Sequence, residues 1–322
     1  MPSSILLTGA TGFVGGAVQR RVQQDRVHTL RCAVRHDGNS LPENSDIIHV
    51  GDLDATTDWQ EALSEVNVVI HCAARVHVMQ DNAQDPLAAF RRVNVDGTLN
   101  LARQAVAAGV RRFVFISSIK VNGEGTEPGY TYGPDDTPAP VDPYGVSKAE
   151  AEEQLLSLAV QSGLEVVIIR PVLVYGPGVK ANFYSMMRWL DRGVPLPFGA
   201  IHNRRSLVAI DNLVDLIVAC VEHPRAAGQR FLVSDGEDLS TTQLLQRMGA
   251  ALGRSAKLLP VPAWMLSGAA GALGKQALSQ RLCGSLAVNI DKNRELLGWT
   301  PPASVDQSLA KVAQYYKETK AQ

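Results

Sequence analysis

The strongest constraint on this chain lies in its first fifteen residues. A short apolar run, Ile5-Leu6-Leu7, leads straight into Thr8-Gly9-Ala10-Thr11-Gly12-Phe13-Val14-Gly15, with a glycine at every third position. Between a buried strand and a helix, such glycines let the chain turn tightly, let backbone approach an anionic group, and let the helix close on the sheet. The start of the helix then offers free N–H groups and a partial positive charge, which suits a pyrophosphate. The spacing predicts a dinucleotide site formed by Gly9, Thr11, Gly12, Phe13, Val14 and Gly15.

Similar apolar runs follow at Thr29 to Val34, Asp46 to Val50, Val66 to Ile70, Arg112 to Ile116 and Val166 to Ile169. They are short, rich in Val, Ile and Leu, and do not alternate strictly, as expected of parallel strands buried on both faces. Helical spacing occupies Gly97 to Gly109 and Tyr144 to Gly163, the second opened by Asp142 as N-cap and Pro143 at the first helical position. The expected fold class is α/β, a Rossmann-type doubly wound parallel sheet. After Arg170 the texture changes: Pro and Gly punctuate Pro171 to Gly199, and an Ala- and Leu-rich part follows. A dinucleotide-binding domain is expected over 1–170 together with parts of 206–235. A smaller, mainly helical substrate lobe should take up 171–322 and close a cleft over the carboxyl ends of the strands.

Charge narrows the ligand class. Across 322 residues, 31 Lys and Arg stand against 32 Asp and Glu, so no overall field draws the chain to nucleic acid or an anionic membrane. The four cysteines, Cys32, Cys72, Cys220 and Cys283, show no CxxC spacing. They are read as packing residues in a reducing compartment, with neither a metal site nor a disulfide framework. No basic segment precedes an apolar run at the start, and Trp264 to Leu273 is too short to span a bilayer. A cytoplasmic enzyme for a small molecule is expected.

The end of the second run bears on the cofactor's ribose. NAD sites place an acid there, whereas NADP sites accommodate a phosphate with Arg. Here Cys32-Ala33-Val34-Arg35 is followed by no acid until Asp37, so Arg35 leans the expectation from NAD towards NADP(H). Asp52 and Leu53 are expected to flank the adenine, and Ala73 and Ala74 to let the cofactor backbone lie close.

Tyr144 and Lys148 form YxxxK, which a helix turns onto one face. A tyrosine, with a pKa near 10, is a poor base at neutral pH unless a neighbouring ammonium favours its phenolate. The expected pair would then give or take a proton near neutrality. Ser117 and Ser118, ending the run Arg112 to Ile116, would hydrogen-bond the same substrate oxygen.

With Asp52-Leu53, Asn94-Val95-Asp96-Gly97-Thr98, Ser117-Ser118 and Tyr144/Lys148 added to the glycine turn, the chain resembles, over essentially its whole length, the extended short-chain dehydrogenase/reductases of the NAD-dependent epimerase/dehydratase family, which modify nucleotide sugars. The resemblance implies that Tyr144 is the acid/base, that Lys148 lowers its pKa and holds the nicotinamide ribose, and that Ser118 orients the sugar oxygen. It also implies Pro171 beside the cofactor and a homodimer formed through the helices bearing Asn94 and Tyr144. Asn94 itself is as readily a packing and capping residue beneath the sheet.

Members of the family that dehydrate sugars carry an Asp-Glu pair after the catalytic Ser or Thr; Ile119-Lys120 here speaks against that reaction. Reduction of a C4 ketone and C4 epimerisation remain. Epimerases usually have an Asn where this chain has Leu173, and the stretches Ser117 to Glu124, Arg204 to Val208 and Arg281 to Leu286 resemble bacterial O-antigen reductases of UDP-4-keto-6-deoxy-N-acetylhexosamines. The expectation is therefore a 4-ketoreductase, with a UDP-sugar C4 epimerase as the alternative; a non-catalytic dinucleotide-binding regulator would have lost Ser118, Tyr144 and Lys148. Arg205, whose guanidinium can pair bidentately with phosphate oxygens, is the candidate for the substrate diphosphate. Family comparison adds Asn182 for the phosphates, Phe198 for the base and, more weakly, Arg281.

Overall fold

Runs of Val, Ile, Leu and Phe with no polar face can be satisfied only by burial on both sides, and the chain lays them into one sheet. The structure is a computed structural model that describes residues 2–35, 41, 45–76, 85–179, 181–272, 274 and 276–320. The strands are β1 (Ser4–Thr8), β2 (Thr29–Val34), β3 (Asp46–His49), β4 (Val68–His71), β5 (Arg112–Ile116), β6 (Glu165–Pro171), β7 (Leu173–Tyr175), β8 (Arg205–Ala209), β9 (Arg230–Val233) and β10 (Asp238–Leu239). Seven of them form a parallel sheet in the order β3-β2-β1-β4-β5-β6-β9. Each of the six expected apolar runs is a strand of this sheet. The seventh, β9, has only four residues and escapes any periodicity.

The helices are α1 (Phe13–Asp25), α2 (Pro86–Arg91), α3 (Thr98–Ala107), α4 (Pro143–Ser162), α5 (Ala181–Asp191), α6 (Ile210–Glu222), α7 (Thr241–Leu252), α8 (Ala263–Ala272), α9 (Gln276–Cys283), α10 (Asp291–Leu297) and α11 (Val305–Lys320). One apolar cluster joins α1 and α6 to one face of the sheet, and a second joins α3 and α4 to the other. Helix α4 starts as its sequence dictates: Asp142 accepts from the Gly145 N–H at 2.6 Å and Pro143 occupies the first turn. It stops at Gly163, which takes the left-handed conformation at φ 77°. Its buried residues Lys148, Ala151, Glu152 and Leu155 follow the helical repeat, so the period that packs α4 also carries Lys148 and Glu152 inward.

Beyond β6 the polypeptide builds a third cluster from Tyr175, Phe183, Met187, Leu207, Leu245, Met248, Leu309 and Val312. Here the expectation of a mainly helical part omitted a small sheet, β10-β8-β7. Its strands β7 and β10 have three and two residues, too few to show a period. Asp235 fastens this cluster to the large sheet: it accepts from the Tyr175 hydroxyl, the Asn212 amide and the Ala209 N–H, each at 2.7 Å. Among the described residues no helix is long and apolar enough to cross a membrane.

Candidate active site

The strand order reverses between β1 and β4, and at such a switch point two neighbouring loops diverge and leave a crevice at their carboxyl ends. The glycine turn fills one side of it. Gly9 lies at φ 74°, and a Cβ there would come within 2.7 Å of the Ala73 nitrogen; one on Gly15 would come within 2.1 Å of the Gly9 carbonyl oxygen. These two glycines let backbone lie on backbone. At Gly12 the nearest atom to an added Cβ is the Gly9 oxygen at 3.2 Å, and no side chain caps the first turn of α1. Thr11 and Gly12 are exposed, and Phe13 and Val14 half-buried. The first turn of α1 is thus an exposed helix start without a side-chain cap, a donor set that fits a pyrophosphate.

A residue that sequence reasoning missed ties this crevice together. His71, fully buried at the end of β4, meets the Thr8 hydroxyl at 2.7 Å through Nδ1 and the Thr98 hydroxyl at 2.9 Å through Nε2. Thr8 Oγ1 also accepts from the Ala73 N–H at 3.2 Å. Burial, reinforced by the Lys148 charge, pushes His71 down to about 3, so it is neutral and links β1, β4 and α3 as a structural crosspiece. Nothing in the sequence marks it beyond its place at the end of an apolar run. Asn94, in the π-helical turn Arg92–Gly97, performs a related task. Its Oδ1 accepts from the Arg75 N–H at 2.8 Å, and its Nδ2 donates to the Arg75 carbonyl and the Ser147 hydroxyl, both at 3.0 Å. The loop after β4 is thereby pinned to α4, and Asn94 is a packing residue in this structure. Gly97 closes on Leu53, whose backbone an added Cβ would meet at 3.0 Å.

Tyr144 and Lys148 lie one turn apart on α4. The Ser118 side chain lies close enough to the Tyr144 phenol to favour its ionised form, and Phe90 of α2 meets the ring edge-on at 5.9 Å. The Lys148 ammonium lies over the Phe115 ring at 3.9 Å from its centre. The electrostatics differ from the expectation of a phenol made acidic by the lysine. Burial pushes Tyr144 up to about 12, the Asp142 carboxylate adds to the rise, and Ser118 offsets only part of it. Burial also pushes Lys148 down to about 7, against the charges of Glu152 and Cys72. Loss of solvation dominates at both groups, so the phenol keeps its proton and the lysine releases its own near neutrality.

Ser117, expected at the substrate, is spent elsewhere. It is buried, and its hydroxyl donates to Glu152. Glu152 in turn accepts from Arg170 Nε at 2.9 and 3.1 Å, and Arg170 Nη1 donates to Asn122 at 2.9 Å. Adjacent residues of an extended strand point to opposite sides, which is why Ser118 alone faces Tyr144. The Ser117-Glu152-Arg170-Asn122 network gave no signal in the sequence, because its members are far apart along the chain. Cys32 and Cys220 are buried, as packing residues should be, whereas Cys72 and Cys283 are half-buried. Cys72 lies close enough to Lys148 to interact with it, and burial pushes its thiol up to about 12.

Arg35 and Asp52 face each other at an exposed rim, 3.8 Å apart. Asp37 lies outside the described residues. Ala73 and Ala74 are half-buried beside the glycine turn, and Pro171 is buried at the end of β6. Across the cleft, Arg205 is half-buried and donates to the Gly284 carbonyl at 3.1 Å. Burial lowers its pKa, Glu124 opposes that, and Arg281 adds to it. The structure therefore brings Arg205, Arg281 and Glu124 together although some 160 residues of chain separate the outer two. Phe198 is half-buried, with its carbonyl accepting from the Thr242 hydroxyl at 2.6 Å. Asn182 falls in α5, and its side chain lies outside the described residues. Leu173 is 53% exposed at the start of β7.

The family model for the NAD dependent epimerase/dehydratase family matches residues 5–234, a stretch that includes the glycine turn, Ser118, Tyr144 and Lys148. The chain belongs to this family. It is 50% identical over 317 residues to a UDP-glucose 4-epimerase of Vibrio cholerae, covering 98% of this chain and 96% of that protein. Among solved structures, a UDP-glucuronic acid 4-epimerase from Bacillus cereus in complex with NAD is similar at TM-score 0.78 and 21% identity, covering 98% and 99% of the two chains. RMD from Pseudomonas aeruginosa complexed with NADPH is similar at TM-score 0.72 and 22% identity, over the same shares. The protein is thus a nucleotide-sugar enzyme of the epimerase/dehydratase type that uses a nicotinamide dinucleotide.

Proposed function

We propose that this enzyme interconverts the C4 epimers of a UDP-hexose and keeps its NAD between turnovers. The observation that carries the reading is the 50% identity, over nearly the whole chain, to a UDP-glucose 4-epimerase. This displaces the 4-ketoreductase favoured by the sequence, whose main support was local: Arg35, Leu173 and short stretches of similarity. The case for NADP rested on Arg35 alone, an exposed side chain 3.8 Å from Asp52, and the similarity to a UDP-glucose 4-epimerase adds nothing to it.

The exposed first turn of α1, at Thr11, Gly12 and Phe13, would hold the pyrophosphate, and Lys148 the nicotinamide ribose. The bound nicotinamide, when oxidised, supplies a hydride acceptor and a positive charge. Tyr144, once ionised beside the bound nicotinamide, would take the proton of the C4 hydroxyl as the phenolate while that carbon is oxidised to a ketone, and would return it to the C4 oxygen when the carbon is reduced. Ser118 orients the C4 oxygen, and Arg205 with Arg281 holds the diphosphate. A phenol that keeps its proton until a positive charge arrives suits this cycle, since oxidation at C4 then starts only in the loaded enzyme.

The decisive experiment uses enzyme purified without added cofactor and incubated with UDP-glucose or UDP-N-acetylglucosamine. The expected result is conversion to the C4 epimer by the nucleotide that survives purification. Stoichiometric oxidation of added NAD(P)H by a UDP-4-keto-6-deoxy-N-acetylhexosamine, with neither UDP-sugar interconverted, would return the enzyme to the reductases.

A further inference from the structure

We propose that Lys120 is a positioning residue for proton transfer at Tyr144: it holds the Asp142 carboxylate, which begins the helix that carries the tyrosine, and so governs how much negative charge reaches the phenol. The inference rests on the reading of Tyr144 as the acid/base.

Lys120 stands in the 3-10 turn Ile119–Val121, directly after Ser118. Its ammonium bridges two carboxylates, Glu124 at 2.8 Å and Asp142 in a still closer contact. All three side chains are between 23% and 32% exposed, so the bridge lies where water screens it only in part. The two oxygens of Asp142 are divided: Oδ1 caps α4 through the Gly145 N–H, and Oδ2 meets Lys120. Tyr144 follows two residues later, and Asp142 is the carboxylate that makes its phenol harder to ionise.

Other described residues also surround the phenol. Ser118 reaches it from the turn after β5, Lys148 lies one helical turn along, and Phe90 presents its ring from α2, with Arg75 over that ring at 5.6 Å. Of the two cations after β5 and on α4, Lys148 is itself depressed by burial. Lys120 is the cation bound directly to the carboxylate that opposes phenolate. Glu124 extends the chain of charges to Arg205 across the cleft. The position that carries an acid in the dehydrating members is thus occupied here by a lysine paired with the carboxylate that caps α4.

The test is the pH dependence of kcat for the NAD-loaded enzyme on UDP-glucose and UDP-N-acetylglucosamine, in wild type, Lys120→Met, Lys120→Arg, Asp142→Asn and the double variant. Asn caps helices as well as Asp, so Asp142→Asn keeps α4 intact. Lys120→Met should move the limb on which activity rises with pH upward by about half to one pH unit, lowering kcat at neutral pH roughly three- to tenfold. Lys120→Arg should restore the wild-type limb, and Asp142→Asn should move it down. In the double variant the Lys120 substitution should have no further effect, because the charge it compensates is gone.

A uniform loss of kcat in Lys120→Met with an unmoved limb, or an equal shift with and without Asp142, overturns the proposal while the acid/base reading stands. Tyr144→Phe serves as the control, expected to lose about 10²- to 10⁴-fold in kcat while still binding NAD. Full turnover in that variant removes the acid/base reading and the role of Lys120 together.

Discussion

At one end of the cleft backbone touches backbone, with Gly15 on Gly9, Gly9 on Ala73 and Gly97 on Leu53, and a neutral histidine crosses between the strands beneath. At the other end Arg205 and Arg281 extend long side chains, and residues 285–289 run beside the loop after β5, with Thr126 N–H donating to the Ser285 carbonyl, Tyr132 N–H to the Ala287 carbonyl and Asn289 N–H to the Tyr132 carbonyl, each at 2.9 Å. The first end has no space to alter without moving the main chain, so it suits a constant ligand. The second can exchange one side chain for another with little effect on the fold, so it suits a ligand that differs among relatives. Close packing transmits every added methyl, whereas a partly solvated guanidinium does not.

The comparison breaks most readily at Gly15. Gly15→Ala places a methyl on the Gly9 carbonyl and should cost about 3 kcal/mol in stability, with loss of NAD binding; urea unfolding and a cofactor titration would measure both, and a tolerant variant would show that the turn has room. Acid should strain the same end next. His71 is held neutral in the fold but ionises readily in the unfolded chain, so the unfolded state binds the extra proton as pH falls from about 6.5 towards 3, and stability falls with it. The loss should reach roughly 2–3 kcal/mol by about pH 4.5, and His71→Gln should flatten that slope.

At the sugar end, Arg205→Ala should raise the KM for a UDP-sugar about 10- to 100-fold through lost charge-assisted hydrogen bonds, with the melting temperature nearly unchanged. A large fall in melting temperature there would erase the contrast between the two ends. Smallest of all, Trp264→Ala on α8, where the indole is 75% exposed, should change stability by less than about 0.5 kcal/mol in thermal unfolding.

Much of this could be read along the chain. The glycine spacing located the first loop, apolar runs gave six of seven strands, and Asp142-Pro143 marked the start of α4 to the residue, because each depends on neighbours in sequence. Ser117 and Ser118 could not be told apart, since which of two adjacent residues faces the cleft depends on the register and twist of β5. Arg205 and Arg281 were nominated singly; their meeting with Glu124 follows from how the part of the chain beyond β6 folds back. For the reaction, single positions such as Leu173 and Arg35 favoured the ketoreductase, whereas 50% identity over nearly the whole chain to a UDP-glucose 4-epimerase favours the alternative of C4 epimerisation.

Local chemistry alone determined the class of this protein: strand, glycine turn and helix are contiguous, and YxxxK needs only one turn of helix to share a face. Tertiary structure decided the charge states. Whether a phenol or an ammonium keeps its proton depends on the water removed from around it and on the carboxylates beside it, and Asp142 acts on Tyr144 and Glu152 on Lys148 because loss of solvent lowers the dielectric around the phenol and the ammonium.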